Sequence, residues 1–311
     1  MMRFPRDLLE TLAAVVESGT FDAAAERLNV TPSAVSQRIK VLEQQLGRVL
    51  VVRSKPVRPT ESGEALVRLA RQLSLLEHDA AAALRLEGDD AGDGRAAFAS
   101  IPIAVNADSL ATWILPALAR VATERDIVVD IHREDQERTA GLLAAGSVMA
   151  AVTSRSHPIP GCTVTALGAM SYRPVAAPAF AARWFGDGIG PEALAVAPVV
   201  DFDRTDELQS RYLRAASVRQ LSPPRHFVPA STEFAQSILL GMGWGMLPGA
   251  QADAAVASGG LVGLDPSGAV EVPLYWQQWN LRSPALDAVA EAVTTEARSA
   301  LSTMTYTGRG S

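Results

Sequence analysis

The chain reads as α/β, with an N-terminal winged helix-turn-helix head, a long linker helix and a two-lobed α/β body. Three observations carry that reading. Residues 20–43, TFDAAAERLNVTPSAVSQRIKVLE, hold two short amphipathic helical stretches separated by a tight turn. Residues 61–87 form one helical run whose apolar positions recur every three or four residues. Beyond residue 94, short β-branched runs alternate with helical stretches, the pattern of a sheet flanked by helices. At 311 residues the length suits about two or three compact units.

In the head, residues 7–17 make a first helix with Leu8, Leu9, Leu12, Val15 and Val16 turned inward, ended by Ser18-Gly19, where glycine suits a left-handed cap. The next helix carries Ala23, Ala24, Ala25 and Leu28, small enough for two backbones to approach where they cross. Thr31 is an oxygen-bearing N-cap, and Pro32 takes the first helical position, where its missing N–H costs nothing. From there Val35, Ile39, Leu42 and Leu46 make one apolar stripe, and Ser33, Ser36, Gln37, Lys40 and Gln44 fall on the opposite face. Small hydrogen-bonding side chains plus a cation suit a base-pair edge flanked by phosphates. An ordinary αα-hairpin fits the same periodicity, so spacing leaves both open. After Gly47, the run VLVVR, a turn at Ser54-Lys55-Pro56 and VRPT read as a two-stranded wing. The candidate DNA contacts are Thr31, Pro32, Ser33, Ser36, Gln37, Arg38 and Lys40 on the second helix, and Arg53, Lys55 and Arg58 on the wing, within reach of phosphates or the minor groove.

Charge divides along the same boundary. Residues 1–60 carry nine Lys/Arg against six acids, a balance of +3, which leaves −9 for the remainder of a chain of net charge −6. Both lysines, Lys40 and Lys55, lie in the positive part. A basic head on an acidic body is the asymmetry of a DNA reader, which the overall pI would hide. Cys162 is the only cysteine, so an intrachain disulfide and a cysteine-built metal cluster are excluded and a reducing compartment fits. Asp7 and Glu10 interrupt the N-terminal stretch after Arg3 and Arg6, and no run reaches the roughly 18 apolar residues of a membrane span, so a cytoplasmic location without membrane contact is expected.

The linker run begins at Thr60, a plausible N-cap, and extends to about residue 87, roughly 40 Å at ~1.5 Å per residue. Leu66, Leu69, Leu73, Leu76, Ala80 and Ala83 recur at coiled-coil spacings, which predicts a dimer seam; a long helix lying on its own domain has the same pattern. Residues 88–94, GDDAGDG, are a hinge by composition. The domains expected are thus 1–60, 61–87 and 95–311.

In the body, strands are expected at 97–105, 127–133 and 148–153, with helices at 109–121 and 136–145, giving a largely parallel sheet. A second set follows: strands at 172–177, 199–202, 226–228 and 245–248, with helices near 206–215 and 232–240. The chain then returns to the first lobe with a strand at 272–279 and a closing helix at 284–301. Lobe I is expected over about 95–160 and 268–311 and lobe II over about 161–267, a periplasmic-binding-protein-like clamshell. Ligands in such sheets gather at the carboxyl ends of strands. There stand Asn106, Asp108 and Ser109 after the first strand, Glu134 with Asp135 after the second, Asp201 and Asp203 closing AVAPVVDF, and Ser231 and Thr232 where a strand meets a helix. Hydroxyls would hold a carboxylate and the acids a cation, and an amino acid with a positively charged side chain satisfies both. Each acid taken singly also fits a helix cap or a solvated loop.

AAERLNVTPSAVSQRIKVLEQQLG followed by VRSKPVRPTESGE resembles the N-terminal winged helix-turn-helix of the LysR-type transcriptional regulators, without a gap from about residue 8 to 76. NADSLATW, REDQERT, PVVDFD, VPASTEF and LYWQQW resemble the branch of that family that senses lysine and arginine and controls their export. The resemblance implies double-stranded operator DNA and a basic amino acid as partners, a homodimer through the linker or a homotetramer, and RNA polymerase for an activator. It also makes Asn106, Asp108, Ser109, Glu134, Asp201 and Ser231 cleft candidates. Two departures stand out: Val51 where the family usually has phenylalanine, expected to alter packing, and SVMAAVTS where many members carry an aspartate.

An enzyme would need a catalytic constellation, and His78, His132, His157 and His226 are scattered without metal-ligand spacing, so no catalytic residue, metal or cofactor is expected. GMGWG at 241–245 lacks the Gly-Lys-Ser/Thr of a phosphate loop. Trp276 and Trp279 read as core. A solute-binding transport component would explain the clamshell but leaves the head and linker without a purpose.

Overall fold

The computed structural model describes residues 4–85, 98–134, 136–217 and 221–303. The hinge expected at 88–94 lies outside the described residues. In the head, α1 (Arg6–Ser18), α2 (Phe21–Arg27) and α3 (Pro32–Leu46) form where the caps place them. Gly19 closes α1 in the left-handed conformation. The Thr20 hydroxyl accepts the Ala23 N–H at 3.2 Å, and Thr31 accepts that of Ala34 at 3.2 Å with Pro32 behind it. Asn29, at φ 54°, turns the chain between α2 and α3. Buried Ala24 and Ala25 let the two helices meet, and Val35, Ile39 and Leu42 join Leu9, Leu12 and Val15 in one core. The wing is β1 (Val51–Val52) paired antiparallel with β2 (Arg58–Pro59), and Val51 is buried in the head core.

The linker helix, α4 (Glu61–Arg85), starts at Thr60, whose hydroxyl accepts the Gly63 N–H at 3.2 Å. Here the expected seam is corrected. Leu66 is buried in the head's own core and Leu69 packs beside it, because the first turns of α4 lie against α1. Leu75, further on, enters the core of the body. Leu73, Leu76 and Leu84 remain exposed, so only the outer face from Leu73 onward is open to a second chain.

In the body, β3 (Ala99–Val105) pairs in parallel with β4 (Ile127–Arg133) and β5 (Ala150–Thr153). The helix expected at 109–121 is two, α5 (Ala107–Thr112) and α6 (Ile114–Glu124), broken at Trp113, which leaves helical geometry to bury its ring. The segment α7 (Gln136–Ala145) agrees with expectation. Two long strands cross between the lobes, β6 (Cys162–Ala176) and β11 (Val270–Trp279), antiparallel to each other, with β11 also antiparallel to β5. The sheet is therefore mixed, not largely parallel: its order is β10 (Val262–Gly263), β6, β11, β5, β3, β4, with β9 (Gly245–Pro248) also on β6. A strand running straight from one lobe into the other has no crossover helix to turn it, so its return partner runs the opposite way.

Lobe II adds the parallel pair β7 (Val199–Asp201) and β8 (Arg225–Phe227), flanked by α10 (Leu208–Ala216) and α11 (Ser231–Leu239). It also contains three short helices that sequence patterning does not mark: α8 (Pro178–Trp184), α9 (Pro191–Val196) and α12 (Gly249–Ala257). GMGWG is a packing element, with Trp244 fully buried and edge-on to Tyr212 at 5.5 Å. Trp276 and Trp279 are core residues. The last helix, α13 (Pro284–Ala300), packs on α6, where Arg120 lies 3.6 Å from Glu296. Among the described residues no helix is long and apolar enough to cross a membrane.

Candidate functional sites

On the head, burying the Val35–Ile39–Leu42 stripe turns the other face of α3 outward. Thr31, Pro32, Ser33, Gln37 and Lys40 are exposed there and Ser36 is half-buried at its edge. Arg38 is placed differently: its guanidinium donates to the Thr11 hydroxyl at 3.3 Å and lies 3.9 Å from Asp7, so it ties α3 back to α1. On the wing, Lys55 and Arg58 are exposed, and Arg53 lies over the Phe21 ring at 5.2 Å, which joins the wing to α2. Lys40, Arg53, Lys55 and Arg58 are thus all exposed, Arg53 with its guanidinium over the Phe21 ring, around a strip of neutral hydrogen-bonding groups.

Between the lobes lies a cleft of about 490 Å³. Lobe I supplies Asn106 and Asp108, from the junction of β3 and α5, and Arg133 and Glu134 at the end of β4. Lobe II supplies Asp203, Asp206, Glu207 and Arg211, and Tyr172 of β6 lines the cleft between them. Asp108 is held across the cleft, one carboxylate oxygen accepting from the Ser231 hydroxyl at 2.7 Å and the other from the Tyr172 hydroxyl at 2.8 Å. Burial, with Asp108 adding, pushes the Tyr172 phenol well above its ordinary pKa, so it stays a donor. Asp206 is fixed by the backbone N–H groups of Phe202 at 3.0 Å and Leu208 at 2.9 Å. Its carboxyl is nevertheless pushed above the usual carboxylate range, first by burial and then by Asp108 and Asp203, against the pull of those two N–H groups. Asp203 goes the other way, lowered mainly by the Thr205 hydroxyl that donates to it at 2.7 Å.

Asn106, Asp108, Glu134 and Asp203, all singled out in the sequence, line this cleft, and Ser231 reaches it through Asp108. The others do not line it. Asp201 is buried and ion-paired with Arg225 at 2.5 Å, a structural lock between β7 and β8. Ser109 is fully buried, and Thr232 faces outward. Tyr172, Asp206 and Arg211 went unrecognised in the sequence; the acid density of DFDRTDEL was the available signal for Asp206. Among the described residues no cation pairs with Asp108 or Asp206, and the side-chain oxygen of Asn106 is buried with no hydrogen-bond partner. The lining thus combines five carboxylates with two guanidinium groups, those of Arg133 and Arg211.

Residues 6–64 match the model of the bacterial regulatory helix-turn-helix protein, lysR family, and residues 99–298 match that of the LysR substrate binding domain. The chain belongs to the LysR family of transcriptional regulators. This LysR-family regulator is 46% identical over 285 residues to the HTH-type transcriptional regulator LysG of Mycobacterium tuberculosis, spanning 92% of this chain and 91% of that one. It is 40% identical over 300 residues to the lysine export transcriptional regulatory protein LysG of Corynebacterium efficiens, spanning 95% and 98% of the two. Among solved structures it is similar to full-length LysG of Corynebacterium glutamicum with bound effector Arg, at a TM-score of 0.73 and 35% identity, covering 96% of this chain and 100% of that one. These relatives are transcriptional regulators, and the α3 face and wing lie within the part that matches the regulatory helix-turn-helix model.

Proposed function

We propose that this regulator senses a basic amino acid, lysine or arginine, in the interlobe cleft and controls a gene for its export. The observation that carries the proposal is the pair Asp108 and Asp206, two carboxylates oriented by neutral donors with no cation between them. A side-chain ammonium or guanidinium placed there relieves their mutual repulsion, while Arg133 or Arg211 takes the effector's carboxylate. The names of the similar proteins, lysine export regulator and LysG with bound Arg, support the same effector class. In this reading residues 1–60 read operator DNA, the outer face of 61–87 pairs two chains, 88–94 is the hinge and 95–311 bind the effector. Two dimers join through their bodies as a tetramer in the cytoplasm, and RNA polymerase is the further partner at an activated promoter.

Calorimetry on the full chain with L-lysine, L-arginine, norleucine and L-glutamate tests it. Lysine or arginine is expected to bind; norleucine, of similar length without the cation, and glutamate are not. Asp206→Asn is expected to cost about 2 kcal/mol or more, some 30-fold in Kd, as for loss of one partner in a buried charge pair. Equal binding of norleucine and lysine would refute the cation-reading cleft.

A further inference from the structure

Among the described residues, α7 and the linker helix lie between the cleft and the head. Glu134 lines the cleft, and two residues later α7 begins, running about 15 Å, at ~1.5 Å per residue, to Ala145. Its anchoring is tight, with Thr139 and Leu143 fully buried and the Leu143 carbonyl accepting the Trp279 indole N–H at 3.4 Å. At the far end, Gly146 sits at φ 75° against the linker helix, and a Cβ there would lie 2.7 Å from Arg68 Cβ and 2.9 Å from Arg68 Cα. No slack separates the two helices at that point. The Gly146 carbonyl, at the negative end of α7, accepts from the guanidinium of Arg71. The same guanidinium holds one carboxylate oxygen of Glu17 on α1 through Nε at 3.0 Å and Nη2 at 2.9 Å. The other oxygen of Glu17 accepts from Arg27, at the end of α2. Arg71 is only 11% exposed, so solvent screens its end of the junction less than it screens Arg27, which is 57% exposed.

We propose that Arg71 is the positioning residue through which the state of the cleft reaches the DNA-reading helices. A shift of α7 driven from Glu134 passes at Gly146 into α4, and through Arg71, Glu17 and Arg27 into α1 and α2, which set the pose of α3. Helix shifts of about 1–2 Å are the usual size of such a signal. The inference rests on the cleft being the effector site, and the closing experiment separates the two.

Hydrogen exchange on the full chain, with and without saturating L-arginine, provides the test. In the wild-type chain the ligand is expected to alter exchange in peptides of the cleft, α7, α4 and α1, by about fivefold in the head, the lower end of typical allosteric coupling. In Arg71→Ala the cleft peptides respond as before and ligand affinity is retained, but the response in α1 and α2 is lost. Arg71→Lys, which keeps the charge without the fork, restores part of it. A full head response in Arg71→Ala overturns the proposal. If L-arginine leaves the wild-type cleft unchanged, the effector assignment fails instead, and Gly146→Ala then decides the coupling without ligand. Its methyl group, forced against Arg68, is expected to raise exchange in α1 of the otherwise wild-type chain and not in Arg71→Ala; unchanged α1 in both refutes the path.

Discussion

Lys40 and Gln37 share the exposed face of α3 but differ in what they can read. An ammonium on a flexible stem is attracted to phosphate wherever it lies, and Lys40 makes no ion pair within the described chain, so its charge is available to the backbone of any duplex. Gln37 is neutral and carries a donor and an acceptor, the pair needed at an adenine edge. Lys40→Ala is therefore expected to weaken specific and random DNA alike and to reduce the slope of log K against log salt by about one. Gln37→Ala is expected to cost about 1–3 kcal/mol on the preferred operator only. Fluorescence anisotropy on operator and scrambled duplexes across a salt series separates them, and equal losses for both variants on both duplexes would contradict the assignment. Arg38, beside them in sequence, is engaged with Thr11 and sits near Asp7, so Arg38→Ala should register as loss of head stability before loss of base preference.

At the scale of elements, the linker helix serves two domains and leaves a third face over. Leu66 and Val67 belong to the head core and Leu75 to the body core, while Leu73, Leu76 and Leu84 stay exposed among the described residues. Leu84, 71% exposed, falls on the same face of the helix as Leu73 and Leu76, so the three make one apolar strip rather than a single exposed leucine. Leu73→Glu with Leu76→Glu is expected to leave each domain folded and to dissociate the dimer, as light scattering would show. Operator affinity should fall by roughly 100-fold or more as two linked heads become two separate ones. A dimer that persists in the double variant would place the interface elsewhere. How legible each element was follows from how local its cause is. Thr31-Pro32 starts α3 and Gly19 ends α1 by chemistry within one turn, and both stand in the sequence as they do in the fold. The heptad-like leucines of α4 were visible too, but which of them a neighbour would take depends on where α1 and the body come to lie. Asp201 and Asp206 illustrate the same limit in the cleft. Both sit in one acidic run, and only the distant pairing of β7 with β8, which brings Arg225 to Asp201, decides that Asp201 is locked away while Asp206 lines the cleft. The alanine-rich α8, α9 and α12 are not marked in the sequence because their residues carry little periodic contrast.

Across the whole molecule, a head of charge +3 is joined to a remainder, linker and body together, of charge −9, so DNA attracts one end and repels the other. The body concentrates part of its negative charge in the cleft, where five carboxylates face two guanidinium groups. Closing two lobes around a cation changes that balance in a way that a pH titration can read. With no ligand, Asp206 has its pKa raised above the usual carboxylate range, chiefly by burial. A bound ammonium or guanidinium favours the ionised form and brings the pKa down, so binding must expel whatever proton Asp206 holds. The sign follows directly. Well above the raised pKa Asp206 is already ionised, and affinity is at its maximum and flat with pH. As pH falls through the raised pKa, each bound cation displaces up to one proton, and the affinity drops by up to about tenfold per pH unit. Calorimetry in buffers of different ionisation enthalpy should find no proton release well above the raised pKa and a release approaching one per site as pH falls through it. In Asp206→Asn that release should vanish while any residual binding becomes flat over the same window. Proton release unchanged in Asp206→Asn would assign the titrating group to another carboxylate of the cleft, and uptake in place of release would mean that the effector enters without its positive charge meeting Asp206.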